Sequence, residues 1–198
     1  EGRDPFIKRR VAIKICSSAE EDVRQRFYSE AEIVGNLEHK NITPVHDFGL
    51  EDGVPYLVQE YLTGEDLDHM IERRDPLALG RKLDILAQVV DGLNYAHEQG
   101  VIHRDVKPGN VRILEDGRVK IMDFGIAKLK DHKSSLTRTG TTVGTAAYLP
   151  PEQIRGQATD HRADVFSFGV TAYELLAARR PFEAPTLAAM LYKILGNE

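Results

Sequence analysis

The chain reads as an α+β protein of two lobes, a small N-terminal sheet carrying one helix followed by a mainly helical portion. Short-range patterns point there. Arg10-Val11-Ala12-Ile13-Lys14-Ile15 places β-branched residues at every second position, which is the period of a strand. Asp52-Gly53 and Asp116-Gly117 each sit between apolar runs, the signature of a tight hairpin. Leu79, Leu83, Leu86, Val90 and Leu93 recur at helical spacing until Gly100, a residue suited to ending a helix.

Taken in order, the first strand ends at Ser17-Ser18, and Ser18 with Glu21 forms a capping-box pattern that opens a helix. Val23, Phe27, Val34 and Leu37 give that helix an inward stripe, and Glu30 falls on it whereas Glu32 does not. An inward carboxylate needs a cation. The first hairpin joins Val45 to Phe48 with Tyr56 to Val58, and the linker between lobes is expected near Glu60 to Gly64, giving lobes of residues 1–61 and 62–198. The second hairpin joins Val111 to Leu114 with Arg118 to Met122. Lys128 to Thr142 is rich in Ser, Thr and Lys and reads as a surface loop. Val165 to Ala178 is apolar on nearly every side, as a buried helix would be.

The composition excludes several classes. At 198 residues, with 41% hydrophobic and 29% charged, the chain can bury an ordinary globular core. A net charge of −5 argues against nucleic-acid binding, which needs a basic stripe. The single cysteine, Cys16, rules out an internal disulfide framework and reads as a small buried hydrophobe in a reducing, cytoplasmic setting. No apolar run reaches membrane-spanning length, so no membrane contact is expected within the chain.

The most specific signal is His103-Arg104-Asp105-Val106-Lys107-Pro108-Gly109-Asn110, followed by Asp123-Phe124-Gly125. With Val11-Ala12-Ile13-Lys14 before it and Pro151-Glu152 after it, this resembles the signature set of eukaryotic-type serine/threonine protein kinases in order and spacing. The segment Val143-Gly144-Thr145-Ala146-Ala147-Tyr148-Leu149-Pro150-Pro151-Glu152-Gln153 is similar to bacterial members of that family. No Gly-x-x-x-x-Gly-Lys phosphate loop or dinucleotide fingerprint competes with this reading.

The resemblance implies a kinase-like fold and transfer of the ATP γ-phosphoryl group to a protein Ser or Thr hydroxyl, a reaction governed by positioning and charge stabilisation. It makes Asp105 the group that receives the hydroxyl proton, Lys107 a contact of the terminal phosphate, and Asn110 and Asp123 ligands for Mg²⁺. Lys14 would hold the α/β-phosphates, with Glu30 as its partner. Ala12 would form the roof over adenine, Gln59 the gatekeeper position, and Glu60 to Leu62 the hinge that reads the adenine edge. Asp66 falls at a ribose-binding position, or else serves as a helix N-terminal charge. Val34, Val45, His103 and Phe124 match a stacked column coupling the lobes, which makes His103 structural, and Asp164 matches a carboxylate that braces the catalytic loop. Thr137 and Thr139 are expected sites of self-phosphorylation, gripped by Arg104 and reached through self-association.

The sequence departs from the family in several places. It lacks the Gly-x-Gly-x-x-Gly loop and the family's last helices, so the sequence is expected to be truncated at both ends and to transfer phosphate poorly as written. Where the family has a bulky apolar residue beneath adenine, this chain has Arg112. That guanidinium could stack on the adenine face or swing outward with its stem packed. A second reading, a nucleotide-binding scaffold without transfer, rests on these departures.

Overall fold

The computed structural model describes residues 1–16, 28, 31–32, 34–124 and 143–196. Strands β1 (Gly2–Arg3), β2 (Arg10–Ile15), β3 (Val45–Glu51) and β4 (Val54–Glu60) form an antiparallel sheet in the order β1-β2-β4-β3. The Asp52-Gly53 turn between β3 and β4 has φ of 50° and 73°, the paired left-handed geometry of a type I′ hairpin, which Gly and Asp tolerate best. Residues 28, 31–32 and 34–35 are helical, and Ala31 packs with Cys16 and Leu57 under this sheet. Ser18, Glu21, Val23, Phe27 and Glu30 lie outside the described residues.

In β2 the alternation is reversed relative to a simple apolar-inward expectation. Ile13 and Ile15 are exposed, and the Ala12 and Lys14 face turns to the interior of the cleft, where Lys14 finds a carboxylate. Val11, on the same face as Ile13 and Ile15, is buried, so only the far end of that face is exposed.

After β4 the chain runs through residues 61–64 into β5 (Glu65–Asp66), α1 (Leu67–Glu72) and the long helix α2 (Leu79–Glu98). The Asp116-Gly117 hairpin joins β6 (Val111–Ile113) to β7 (Val119–Ile121), and β5 pairs with β6 to make a three-stranded sheet. The remaining described elements are helices α3 (Val143–Ala146), α4 (Pro151–Ile154), α5 (Arg162–Ala177) and α6 (Leu187–Gly196). Among the described residues no helix is long and apolar enough to cross a membrane.

The largest core lies where α2 crosses the β6–β7 hairpin, around Ile42, Leu67, Ile85, Val89, Val111, Val119 and Ile121. Helix α2 buries Ile85, Leu86, Val89, Gly92, Leu93 and Ala96, whereas Leu79, Leu83 and Val90 of the leucine pattern are exposed. Gly92 explains the choice of face. A Cβ there would lie 2.8 Å from Ile121 Cδ1, so the helix approaches β7 along the side with the smallest residue. Helix α5 buries Ala163, Asp164, Ser167, Val170, Thr171, Glu174 and Leu175, with Val165, Tyr173 and Leu176 exposed, so it is buried on one side only.

The passage out of the first sheet is fixed by Gly64. Its φ is +98°, and a Cβ would stand 2.1 Å from the Ile113 carbonyl oxygen. Only glycine permits the chain to press against β6 here and continue into β5. Gly64→Ala is expected to cost about 2 kcal/mol or more through strain plus clash, while Gly169→Ala, with open space around it inside α5, should be neutral or stabilise by up to about 1 kcal/mol. Urea unfolding of both variants checks this, and an unchanged midpoint for Gly64→Ala would refute the constraint.

Candidate active site

The site is built on the loop that follows α2. The helix gives way after Glu98, Gly100 takes a φ of +75°, and the chain then passes through 101–107 into a single 3₁₀ turn at Pro108–Asn110. This loop has little regular backbone pairing, and a buried side chain replaces it. Asp164 on α5, fully inaccessible, accepts hydrogen bonds from the backbone N–H groups of His103 and Arg104, each at 2.7 Å, and contacts His97 Nε2 at 2.7 Å. Arg104 has a φ of +64°, a strained conformation for a long side chain, and both carboxylate oxygens of Asp164 meet the backbone across that kink.

His103 is locked as a neutral ring. Its Nδ1 accepts from the Asp105 N–H at 3.2 Å, which leaves Nε2 to donate to the Met122 carbonyl at 3.0 Å. Complete burial holds its pKa below the ordinary imidazole value, the nearby Asp164 charge opposing this only in part. The ring lies 4.5 Å from that of Phe124, and Val34, Val45 and Phe124 share the main core. Of the residues expected to form a column, His103 and Phe124 are in ring contact, and Val34 and Val45 share the core with Phe124.

The kinked loop delivers Asp105, Lys107 and Asn110 to one spot. Lys107 Nζ pairs with Asp105 Oδ2 at 2.8 Å, and Asn110 Nδ2 donates to the Asp105 carbonyl at 2.8 Å and to Oδ2 at 3.0 Å. Two donors on one carboxylate oxygen fix its direction. Because Asn110 spends its Nδ2 on Asp105, its amide oxygen is the atom free for other duty. The Met122 N–H donates to the Asn110 carbonyl at 2.9 Å, which sets Asp123 next to this group, with a φ of +51°. Lys14 Nζ crosses from β2 to reach Asp123 Oδ1 at 3.0 Å. Two oxygens, the Asn110 amide and the Asp123 carboxylate, one of them charged, suit a hard divalent cation that also takes phosphate and water ligands.

Above this group, β2 and β4 pair Ala12 with Gln59 and Val11 with Glu60. Glu60 is held by Lys120, a lysine only 6% exposed whose Nζ lies 3.2 Å from Glu60 Oε2 and donates to the Ile42 carbonyl at 3.1 Å. Arg112 is neither stacked in the cleft nor swung into solvent. Its Nε donates to Asp66 Oδ1 at 2.8 Å and its Nη1 to the Leu62 carbonyl at 3.1 Å, and the hydrogen bond to Asp66 raises its pKa. Asp66 occupies the N-cap position of α1 but makes no side-chain cap, so its carboxylate belongs to the arginine. The unpaired buried guanidinium that favoured a scaffold reading is therefore absent. Sequence missed this clasp because the two-residue strand β5, which sets Asp66 opposite Arg112, has no periodicity to detect.

Lys14, Asp105, Lys107, Asn110 and Asp123 are thus brought together. Ala12 and Gln59 face each other in the β2–β4 pair, as do Val11 and Glu60, and Asp66 and the Leu62 carbonyl meet Arg112. Glu30, Thr137 and Thr139 lie outside the described residues.

A small antiparallel sheet above a mainly helical portion, with this charged cleft between them, is the architecture of a protein kinase domain. The family model for the protein kinase domain matches residues 4–196. The chain is 41% identical to a probable serine/threonine-protein kinase of Corynebacterium efficiens, over 98% of this chain and 31% of that protein. It is 39% identical to the serine/threonine-protein kinase PknB of Mycolicibacterium smegmatis, over 96% of this chain and 32% of that protein. Against PknA of Mycobacterium tuberculosis the identity is 42%, over 92% of this chain and 44% of that protein. The chain belongs to the protein kinase family, and it spans less than half the length of these relatives.

Replacing Asp164 leaves buried backbone N–H groups without an acceptor, each costing about 1–3 kcal/mol. Asp164→Ala is expected to lose about 3 kcal/mol or more and to expose the His103 and Arg104 amides, with Asp164→Asn milder because it keeps one acceptor oxygen. Hydrogen exchange read at those amides tests it. Wild-type protection in Asp164→Ala would remove Asp164 from its bracing role.

Proposed function

We propose that this chain is the catalytic domain of an ATP-dependent serine/threonine protein kinase, with residues 1–61 and 62–198 as its two lobes. The observation that carries the reading is the Lys14–Asp123 pair at 3.0 Å, which brings a cation from the sheet to the edge of the Asp105–Lys107–Asn110 cluster. A phosphoryl group in flight needs cations at its oxygens and an oriented base at the incoming hydroxyl, and the cluster offers both.

In this reading the acceptor hydroxyl oxygen bonds to the γ-phosphorus, the bond from phosphorus to the bridging oxygen breaks, and ADP leaves with that electron pair. Asp105 orients the hydroxyl and receives its proton, its carboxylate direction set by Lys107 and Asn110. Lys107 and Lys14 exchange their carboxylate partners for phosphate oxygens. Asn110 and Asp123 would hold Mg²⁺, which neutralises phosphate charge when bound. Glu30 is assigned as the further partner of Lys14. Ala12, Gln59 and the Glu60 to Leu62 backbone would enclose the adenine, and a cytoplasmic setting accords with use of ATP and with the buried, unpaired Cys16 thiol.

In a longer form that carries the Gly-rich loop, Asp105→Asn is expected to lower transfer to a protein substrate by about a hundredfold or more while leaving Mg·ATP affinity nearly unchanged, since Asp105 acts on the hydroxyl. Asp123→Asn should instead weaken Mg·ATP binding. Transfer and equilibrium binding measured on the same preparations separate the two, and near-normal turnover by Asp105→Asn would overturn the assignment. Thr137 and Thr139 are assigned as self-phosphorylation sites reached in a second copy. Peptide mapping after incubation with Mg·ATP is expected to find phosphate there, and phosphate found only elsewhere would refute it.

A further inference from the structure

The clasp of Arg112 on Asp66 and Leu62 has a consequence for which nucleotide sugar the cleft accepts. Register places Asp66 directly opposite Arg112 in the β5–β6 pair, so the two side chains emerge on the same face of the small sheet. One guanidinium touches both the Asp66 carboxylate and the Leu62 carbonyl, so these acceptors lie within the span of a single planar group. Both side chains are largely shielded, at 26% and 20% exposure, which keeps the pair from being screened away. The position is also fixed from behind, because Gly64 presses on the Ile113 carbonyl and leaves the chain no other path into β5.

We infer that Arg112 determines sugar selectivity at the nucleotide cleft by withholding Asp66 from the ribose hydroxyls. The inference rests on the kinase reading, in which the segment from Leu62 to Asp66 borders the nucleotide. A ribose hydroxyl offers a carboxylate a neutral donor. A guanidinium offers one that also carries the opposite charge, and it is already in place. The hydroxyl therefore does not displace Arg112 and gains little from the remaining oxygen, whose lone pairs are polarised toward the cation. Ribonucleoside and deoxyribonucleoside triphosphates are then bound almost alike. Without the arginine, Asp66 becomes a bare acceptor at the edge of the cleft, and a missing hydroxyl leaves it unsatisfied, which is how a polar site rejects an analogue that lacks one group.

The test measures binding of Mg·ATP, Mg·2′-deoxy-ATP and Mg·3′-deoxy-ATP by calorimetry, using this chain, Arg112→Leu, and Arg112→Leu combined with Asp66→Ala. The unaltered chain is expected to bind the three within about twofold of one another. Arg112→Leu should open a penalty of about ten- to a hundredfold against at least one deoxy form, the size of one lost hydrogen bond to a charged group, and the double variant should close it again. If Arg112→Leu does not fold, Arg112→Met carries the test, since its unbranched stem can pack as the arginine's does while offering Asp66 no donor. A sugar penalty unchanged across the variants overturns the inference and leaves the kinase reading intact. Loss of all nucleotide binding in the Arg112 variants alone makes Arg112 a direct ligand and overturns it as well. Failure of every form, the unaltered chain included, to bind any of the three nucleotides removes the nucleotide site and the inference with it.

Discussion

The buried carboxylate of Asp164 is the interaction on which the cleft depends. It lies on α5, far along the chain from the loop it holds, and it has no exposed surface. A buried charge is tolerated only where hydrogen bonds satisfy it, and here two backbone N–H groups and His97 do so. The backbone kink at Arg104 is the consequence. Released from Asp164, the loop would relax from its positive φ, and Asp105 would leave the position where Lys107 and Asn110 now meet its carboxylate. The order of causes runs from a helix in one core, through one side chain, to the geometry of the proposed base.

The cations of the site are all engaged within the chain. Lys14 holds Asp123, Lys107 holds Asp105, and Arg112 holds Asp66. In a chain of net charge −5, cations set out for an anionic ligand would otherwise collapse onto arbitrary carboxylates. Pairing them with the carboxylates beside which they must act keeps them in position, so that binding becomes an exchange of partners with little movement. Lys14 and Asp123 are each about half exposed, and such pairs give way readily to a phosphate or a divalent ion. The Arg112 pair is more shielded and resists exchange.

What could be read from sequence followed from short-range rules. Both Asp-Gly hairpins, the β2 strand and the stop after α2 are local decisions of backbone geometry, and they fall where the residues place them. The cluster at Asp105, Lys107 and Asn110 is also local, since a single loop carries it. Tertiary choices were not legible. The leucine pattern of α2 identifies a helix, yet its buried face was selected by Gly92 and the need to approach Ile121, which no periodicity encodes. The face of β2 that turns inward was decided by the reach of Lys14 to Asp123, over a separation of 109 residues. Arg112 looked anomalous because its partner is supplied by a strand of two residues.

Ion pairs supplement the apolar core at the seam between the sheet and the helical portion, and the register of the β6–β7 hairpin explains why both of its carboxylates are needed. Arg112 and Lys120 face each other directly across that pair. Like charges at opposed positions destabilise a sheet unless each is neutralised. Asp66 meets the first and Glu60 the second, one on either side of residues 61–64, so the linker is flanked by two ion pairs that both anchor to the same hairpin. The linker is thus pinned by charge on either side of a buried Leu62. The Glu60 N–H donates to the Pro44 carbonyl and the Leu62 carbonyl accepts from Arg112, so the backbone of the linker is tied down on both sides of Tyr61.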